Sequence, residues 1–304
     1  MLRVTLATVL LAGAAFADGV QLGPNASLGG KRLFPVDDAW NADVSRMPVD
    51  ASSDRWIASI GAATPLHPDF GASLNGRPFG IPYIVVDGTA PRMPVGFDYA
   101  DESDGGYYPL PDDAPIEADS DHHVLVVDRE NWKLYELFAA RRQGRRWSAG
   151  AGAIFDLTAG TLRPAGWTSA DAAGLPVLPG LVRHDEVVEK KAIDHALRFT
   201  VKHSRRAYVW PARHVASKSN DPALPPLGVR LRLKASVDVS AFPPQAQVVL
   251  AALKKYGMFL ADNGGDLFLS GTADARWDDA QLEALKRIHA RDFEVVETGN
   301  IVVP

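Results

Sequence analysis

Proline and glycine divide this chain into short pieces. Its 304 residues include 26 glycines and 22 prolines, and between Pro65 and Pro82 the two are dense enough to exclude any long regular element. Most of what lies between the breaks reads as strand. Residues 83–86 are rich in β-branched side chains and end at Asp87 and Gly88, and residues 95–99 alternate. The clearest hairpin joins 124–128 to 132–138 through a turn at 129–131. Side chains alternate along its return strand, so Leu134, Glu136 and Phe138 share one face, and Lys133, Tyr135 and Leu137 the other. Further strands fit 147–155, 196–201, 206–210 and 229–237, the last with Leu231 and Leu233 opposed to Arg230 and Arg232. Residues 258–261 and 267–270 flank Asn263-Gly-Gly-Asp266, which reads as a tight turn joining two strands.

Helices are few. Residues 243–256 open on two prolines, repeat Val249, Leu250, Leu253 and Tyr256 at helical spacing, and stop at Gly257. Residues 278–288 begin with two carboxylates and end on Lys286 and Arg287, which suits the helix dipole. A shorter helix fits 52–60, with Trp56, Ile57 and Ile60 on one face. Many short strands with few helices predict a mainly β protein, a β-sandwich or jelly-roll with helices at its periphery.

The N-terminus predicts export. Arg3 precedes an apolar run over 4–16, and Ala15-Phe16-Ala17 is an A-x-A cleavage site, so residues 1–17 read as a signal peptide and the mature chain as secreted or periplasmic. The run falls short of the ~20 residues that span a bilayer, so no membrane span is expected after cleavage. Residues 18–31 are small and polar and read as a flexible N-terminus, leaving 32–304 as a single β-rich domain. With no cysteine, stability must come from packing, for which 46% hydrophobic residues are sufficient. A net charge of −5 offers no footprint for nucleic acid, and the basic run at 141–146 reads as a solvated hairpin tip.

No nucleophile elbow, zinc-ligand spacing or phosphate-cradling loop is present, and no cofactor or metal is expected. Chemistry must come from dispersed side chains. Residues 163–176 form a long irregular connection in which Trp167 is suited to stack on a sugar and Asp171 to transfer a proton or cap a turn. At the end of the strand near 206–210 come Trp210, Arg213 and His214, an aromatic platform beside a planar cation, or else a core anchor with an ion pair. His122 and His123 point to opposite faces, so one of them at most joins a given site. Glu136 stands on an apolar face, where a carboxylate is either paired or raised in pKa by desolvation. Asp128 and Asp262, at strand ends, complete the candidates.

The chain resembles a family of exported bacterial proteins. The matching stretches are Leu66-His-Pro-Asp-Phe-Gly71, His123-Val-Leu-Val-Val-Asp128, residues 163–176, Tyr208-Val-Trp-Pro-Ala-Arg-His214 and Ala261-Asp-Asn-Gly264. They span nearly the whole mature chain. The resemblance implies that 18–304 is one unit, and it carries no activity.

Export, seven tryptophans, and loops that mix aromatics with acids, histidine and arginine lead to one expectation. The chain is a carbohydrate-active enzyme, a glycoside hydrolase or polysaccharide lyase acting on a polysaccharide or oligosaccharide. Glu136, Asp128, Asp171, Asp262 and His123 are the candidate catalytic groups, and Trp167, Trp210, Arg213 and His214 the candidate substrate contacts. In a lyase, His123 or His214 would abstract the proton and Arg213 would neutralise a uronate. Two alternatives stand beside this: a non-catalytic carbohydrate-binding or surface protein, and a metal-dependent enzyme using His123 and His214.

Overall fold

Apolar side chains on both faces of the clearest hairpin call for a sheet buried on both sides, and that sheet organises the structure. The computed structural model describes residues 19–297 and 299–304. The expected signal peptide lies outside the described residues. The protein is mainly β and sandwich-like, with few helices. Its larger sheets have five, six and four strands.

In the first sheet the strands run in the order Gly23–Pro24, Tyr83–Val86, Val124–Asp128, Lys133–Phe138, Ala151–Asp156. Only the Tyr83–Val86 and Val124–Asp128 pair is parallel. Tyr83, Val85, Leu125, Val127, Leu134, Ala153 and Phe155 enter the main core. The alternate residues Ile84, Val86, Val124, Val126, Tyr135 and Leu137 enter a second, separate cluster. That cluster is closed by the four-stranded sheet of Arg141–Gln143, Arg146–Ala149, Arg92–Phe97 and Tyr107–Pro109. The single strand expected over 147–155 is therefore two strands in two sheets, broken at Gly150. A Cβ there would stand 2.9 Å from the Phe138 ring, so the chain crosses between layers where only glycine fits.

The six-stranded second sheet is ordered Phe293–Val296, Arg230–Leu233, Met258–Asn263, Leu197–Val201, Phe268–Ser270, His67–Asp69. Residues 258–263 and 268–270 are not a hairpin pair, as the sequence had suggested, because Leu197–Val201 lies between them. Leu197, Phe199, Leu231, Leu233, Met258 and Leu260 share the main core with Trp56 of α1 (Ser53–Ile60) and Val249, Leu250 and Leu253 of α2 (Pro244–Lys255). Both helices fall where spacing and caps predicted. The expected third helix ends early: α3 spans Asp279–Glu283 and continues as a 3-10 turn over Ala284–Arg287.

The opposite face of this sheet is polar. Arg230 donates to the carbonyls of Ala39, Ala42 and Tyr256, and Arg232 to those of Val44 and Met47, so residues 39–47 are fastened across it. The connection 163–184 lies between this face and the first sheet. It is tied to the second sheet by Ala173 N–H to Ala261 O (2.9 Å) and Val182 N–H to Ser270 O (3.1 Å), and to the first by Glu136.

Residues 19–31 are docked rather than loose. Gly23 and Pro24 pair with Val85 and Ile84. Leu28 is buried, and its N–H donates to the buried Asp185 carboxylate at 3.0 Å. Glycine-rich composition signalled flexibility, but the hydrogen bonds that hold this segment come from residues distant in the chain. Among the described residues, no helix is long and apolar enough to cross a membrane.

Candidate functional site

Strand register assembles a polar surface on the covered face of the second sheet. Asp69 pairs with Ser270, and Phe199 with Leu269, so Asp69, Ser270, Arg198 and Phe259 form one row across four strands. His67, Phe268, Thr200 and Asp262 form the next. Asp262 belongs to that row because of an irregularity: the register shifts between Phe199 and Thr200, so that Phe199 faces Leu260 while Thr200 faces Asp262. Regular pairing would have put Ala261 opposite Thr200 and turned Asp262 to the other side. A bulge that re-aims a side chain is a common device beside functional sites.

Over these rows the structure opens into a cleft of about 620 Å³, bordered by the hairpin of Gly71–Leu74 and Arg77–Phe79 on one side and the loop 117–121 on another. Its floor holds Asp69, His123, Arg198, Thr200, Asp262, Phe268 and Ser270. Arg198 is 4% exposed. Its Nε and Nη2 donate to the two oxygens of Asp171 at 3.0 Å each, and its Nη1 donates to Ser270 Oγ at 2.6 Å. This bidentate pair fixes the guanidinium plane, and Asp171 beside it keeps the guanidinium charged.

His123 is sealed against the floor. Its Nδ1 faces Glu117 Oε2 at 2.5 Å and its Nε2 faces the Ala170 carbonyl at 3.0 Å. Both partners are acceptors, so both nitrogens carry protons. Burial pulls the imidazole pKa down, but the Glu117 hydrogen bond and charge outweigh it and lift the group to about 9. His123 is thus an imidazolium without a free lone pair. It serves as a fixed charge, and the general-base role expected for it has no support in this geometry.

Two carboxyls remain open to the cleft. Asp262 is pushed up to about 7, first by burial and then by the neighbouring Asp171 charge, with Arg198 opposing. It accepts the N–H of Asn263 at 2.6 Å and that of Ala172 at 3.4 Å. Asp69 is raised by burial, against the pull of His67 and Arg198. Among the described residues, no hydrogen bond or ion pair is made by its carboxylate. The two stand three strands apart, ~14 Å across the sheet at the backbone for strands ~4.8 Å apart. At the Asp69 end of the cleft, Phe268 stacks on His67 with ring centroids 4.1 Å apart.

The other sequence candidates divide. Glu136 is fully buried and does not line the cleft. Its carboxylate takes the N–H groups of Val177 (2.9 Å) and Leu178 (2.9 Å) and so caps the 3-10 turn Leu178–Gly180. Burial lifts it to about 7, and these two hydrogen bonds hold it back from going further. Asp171 is fully buried behind Arg198, where it positions the guanidinium without facing the cleft. Asp128 lies elsewhere, held by Arg92 (2.7 Å) and Asn131.

The expected sugar platform is also outside the cleft. Trp167 lies under the Arg163 guanidinium at 5.4 Å, and Trp210 is 56% exposed rather than a core anchor. Arg213 Nε donates to the Arg163 carbonyl at 2.9 Å. His214 Nδ1 meets Ala172 O at 2.9 Å and its Nε2 lies 3.7 Å from Glu102. His123 and His214 therefore engage separate carboxylates and do not converge. Among the described residues, no group of three or more His, Asp or Glu is placed to hold a metal ion.

Sequence reasoning missed Asp69, Glu117, Arg198 and Ser270. Arg198 had a visible signal, since it interrupts the apolar strand Leu197–Val201 on the face opposite Leu197 and Phe199. Compared with protein-family models, with curated proteins and with solved structures, the chain matches none.

Proposed function

We propose that this protein is an exported glycoside hydrolase, acting on a polysaccharide or oligosaccharide laid across the second sheet between Asp69 and Asp262. One observation carries the reading: two carboxyls, both raised by burial, stand in one cleft on the same sheet face, with a fixed guanidinium between them. Asp262, at about 7, keeps a proton near neutral pH and donates it to the departing glycosidic oxygen. Asp69, without a partner of its own, takes the proton of a water that attacks the anomeric carbon from the opposite side. The bond from that carbon to the leaving oxygen breaks as the bond to water forms, and both protons are accounted for.

The spacing favours inversion. A retaining pair stands ~5 Å apart and an inverting pair ~6.5–9.5 Å, to leave room for the water; with backbones three strands and ~14 Å apart, Asp69 and Asp262 are nearer the inverting spacing and meet it only with both side chains extended toward each other. The lyase route finds less support. It needs a base with a free lone pair and a cation for the uronate, whereas His123 donates through both nitrogens and His214 and Arg213 lie outside the cleft.

The test is release of reducing ends from a panel of polysaccharides, with the product anomer followed by proton NMR. Asp262→Asn and Asp69→Asn should each lower turnover at least ~100-fold, the usual scale of general acid–base assistance, without abolishing binding. Binding without cleavage across the panel would leave the non-catalytic carbohydrate-binding role instead.

A further inference from the structure

The charges in the cleft are not evenly spent, and the surplus selects a substrate. Glu117 is neutralised by His123 at 2.5 Å, and Arg198 is neutralised from behind by Asp171. With Asp262 holding its proton, the charges that remain facing the opening are Asp69 and, on the bordering loop, the exposed Asp119 and Asp121, against one exposed cation, Arg77, among the described lining residues. Asp119 takes only the Ser120 N–H (2.7 Å), and Asp121 faces the Ser120 hydroxyl at 3.4 Å. Among the described residues, no lysine lines the cleft. The Asp119 and Glu117 charges also help to raise Asp69, which places their field over its carboxylate.

We infer that the cleft is selective for glycans bearing free amines, takes neutral glycans less well, and rejects uronates and other acidic sugars. An ammonium group on a sugar ring offers Asp69 the donor it lacks inside the chain and enters a field of matching sign, whereas a uronate would meet that field with no unspent cation at the floor. The inference rests on the reading of this cleft as the glycan site, but not on catalysis. It also limits the lyase alternative from the substrate side, since lyases need a uronate.

The experiment compares three hexasaccharides with the same β-1,4 backbone: the glucosamine oligomer, the glucose oligomer and the C6-oxidised glucose oligomer. Binding to the full-length mature protein is measured by calorimetry at low and high salt. Affinity should fall in that order, with ~30-fold or more between the amine and acid forms at low salt, shrinking to a few-fold at ~0.5 M salt as the charges are screened. The double variant Asp119→Asn/Asp121→Asn changes only exposed side chains away from the floor. It should reduce the amine-to-acid ratio ~5-fold and leave the neutral oligomer within ~2-fold, as expected for rim charges of modest individual weight. Equal or tighter binding of the acidic oligomer, a ratio indifferent to salt, or no binding of any of the three overturns the inference. Reducing ends are assayed on the same samples. The predicted binding order without cleavage removes the hydrolase reading and leaves this one standing.

Discussion

The first and second sheets are both covered on both sides, yet they use that burial in opposite ways. In the first sheet, both faces are filled by aliphatic and aromatic side chains, and Glu136, one of its two fully buried carboxylates, is consumed in capping a turn. In the second, one face is equally apolar, but the other carries Arg198, Arg230, Arg232, Thr200, Ser270, Asp69 and Asp262. Where that polar face is roofed by the connecting segments, its charges are matched to carbonyls and Asp171. Where the roof stops, the same face becomes the floor of the cleft and two carboxyls are left unmatched by any cation. Burial alone therefore does not mark a site here. A buried polar face that runs out of partners at an opening does.

The comparison can be broken most directly at Arg198. Arg198→Met leaves Asp171 as an uncompensated buried charge, which costs ~3–5 kcal/mol. At ~2–4 °C per kcal/mol for a chain of this size, the thermal midpoint should drop by ~10 °C. A drop of only a degree or two would show that the pair is not what holds the polar face together.

The next effect is one of pH. The His123 pKa is raised from 6.5 to about 9 in the folded state, so its contribution is fully present below 6.5 and is lost as pH rises through about 9. The amount is on the order of 3 kcal/mol by linkage. Asp262 and Glu136, raised to about 7 from 3.8 and 4.5, act on a lower window and lose their contribution as pH rises from about 4 to about 7. Denaturant midpoints measured from pH 4 to 10 should therefore decline in two stages. Glu117→Gln should flatten the upper stage alone, and a curve unchanged by that variant would count against the imidazolium.

Glu136→Ala belongs to the first sheet. It leaves the buried N–H groups of Val177 and Leu178 without an acceptor, at ~1–3 kcal/mol, and should not alter glycan binding in the cleft. A binding defect at preserved stability would move Glu136 into the site. The smallest expected change in stability is that of Asp69→Asn, within ~1 kcal/mol and of either sign, because no partner within the chain is lost. Unfolding midpoints that fall well beyond this would mean that Asp69 has a structural duty.

Strand alternation made the first sheet and both main helices legible, since a two-residue period and a helical period survive any tertiary context. It also separated Glu136 from Tyr135 and Leu137 correctly, but Arg198, an odd charge in an apolar strand, was passed over. The site was far less legible. Glu136 was singled out because it is a carboxylate on an apolar face, and the structure answers with two backbone N–H donors from residues 41 and 42 positions away. His123 looked like a base, but its protonation is set by Glu117, six residues earlier around a turn whose shape the sequence does not announce.

What the sequence determined by itself is the alphabet of this fold: short strands between prolines and glycines, faces assigned by alternation, helices bounded by proline and glycine, and stability without disulfides. What only the tertiary structure decided is which faces meet. Asp262 shows why. One extra residue in the register between Phe199 and Thr200 turns its carboxyl into the cleft instead of away from it, and register is fixed by pairing with a strand some sixty residues distant rather than by any local preference.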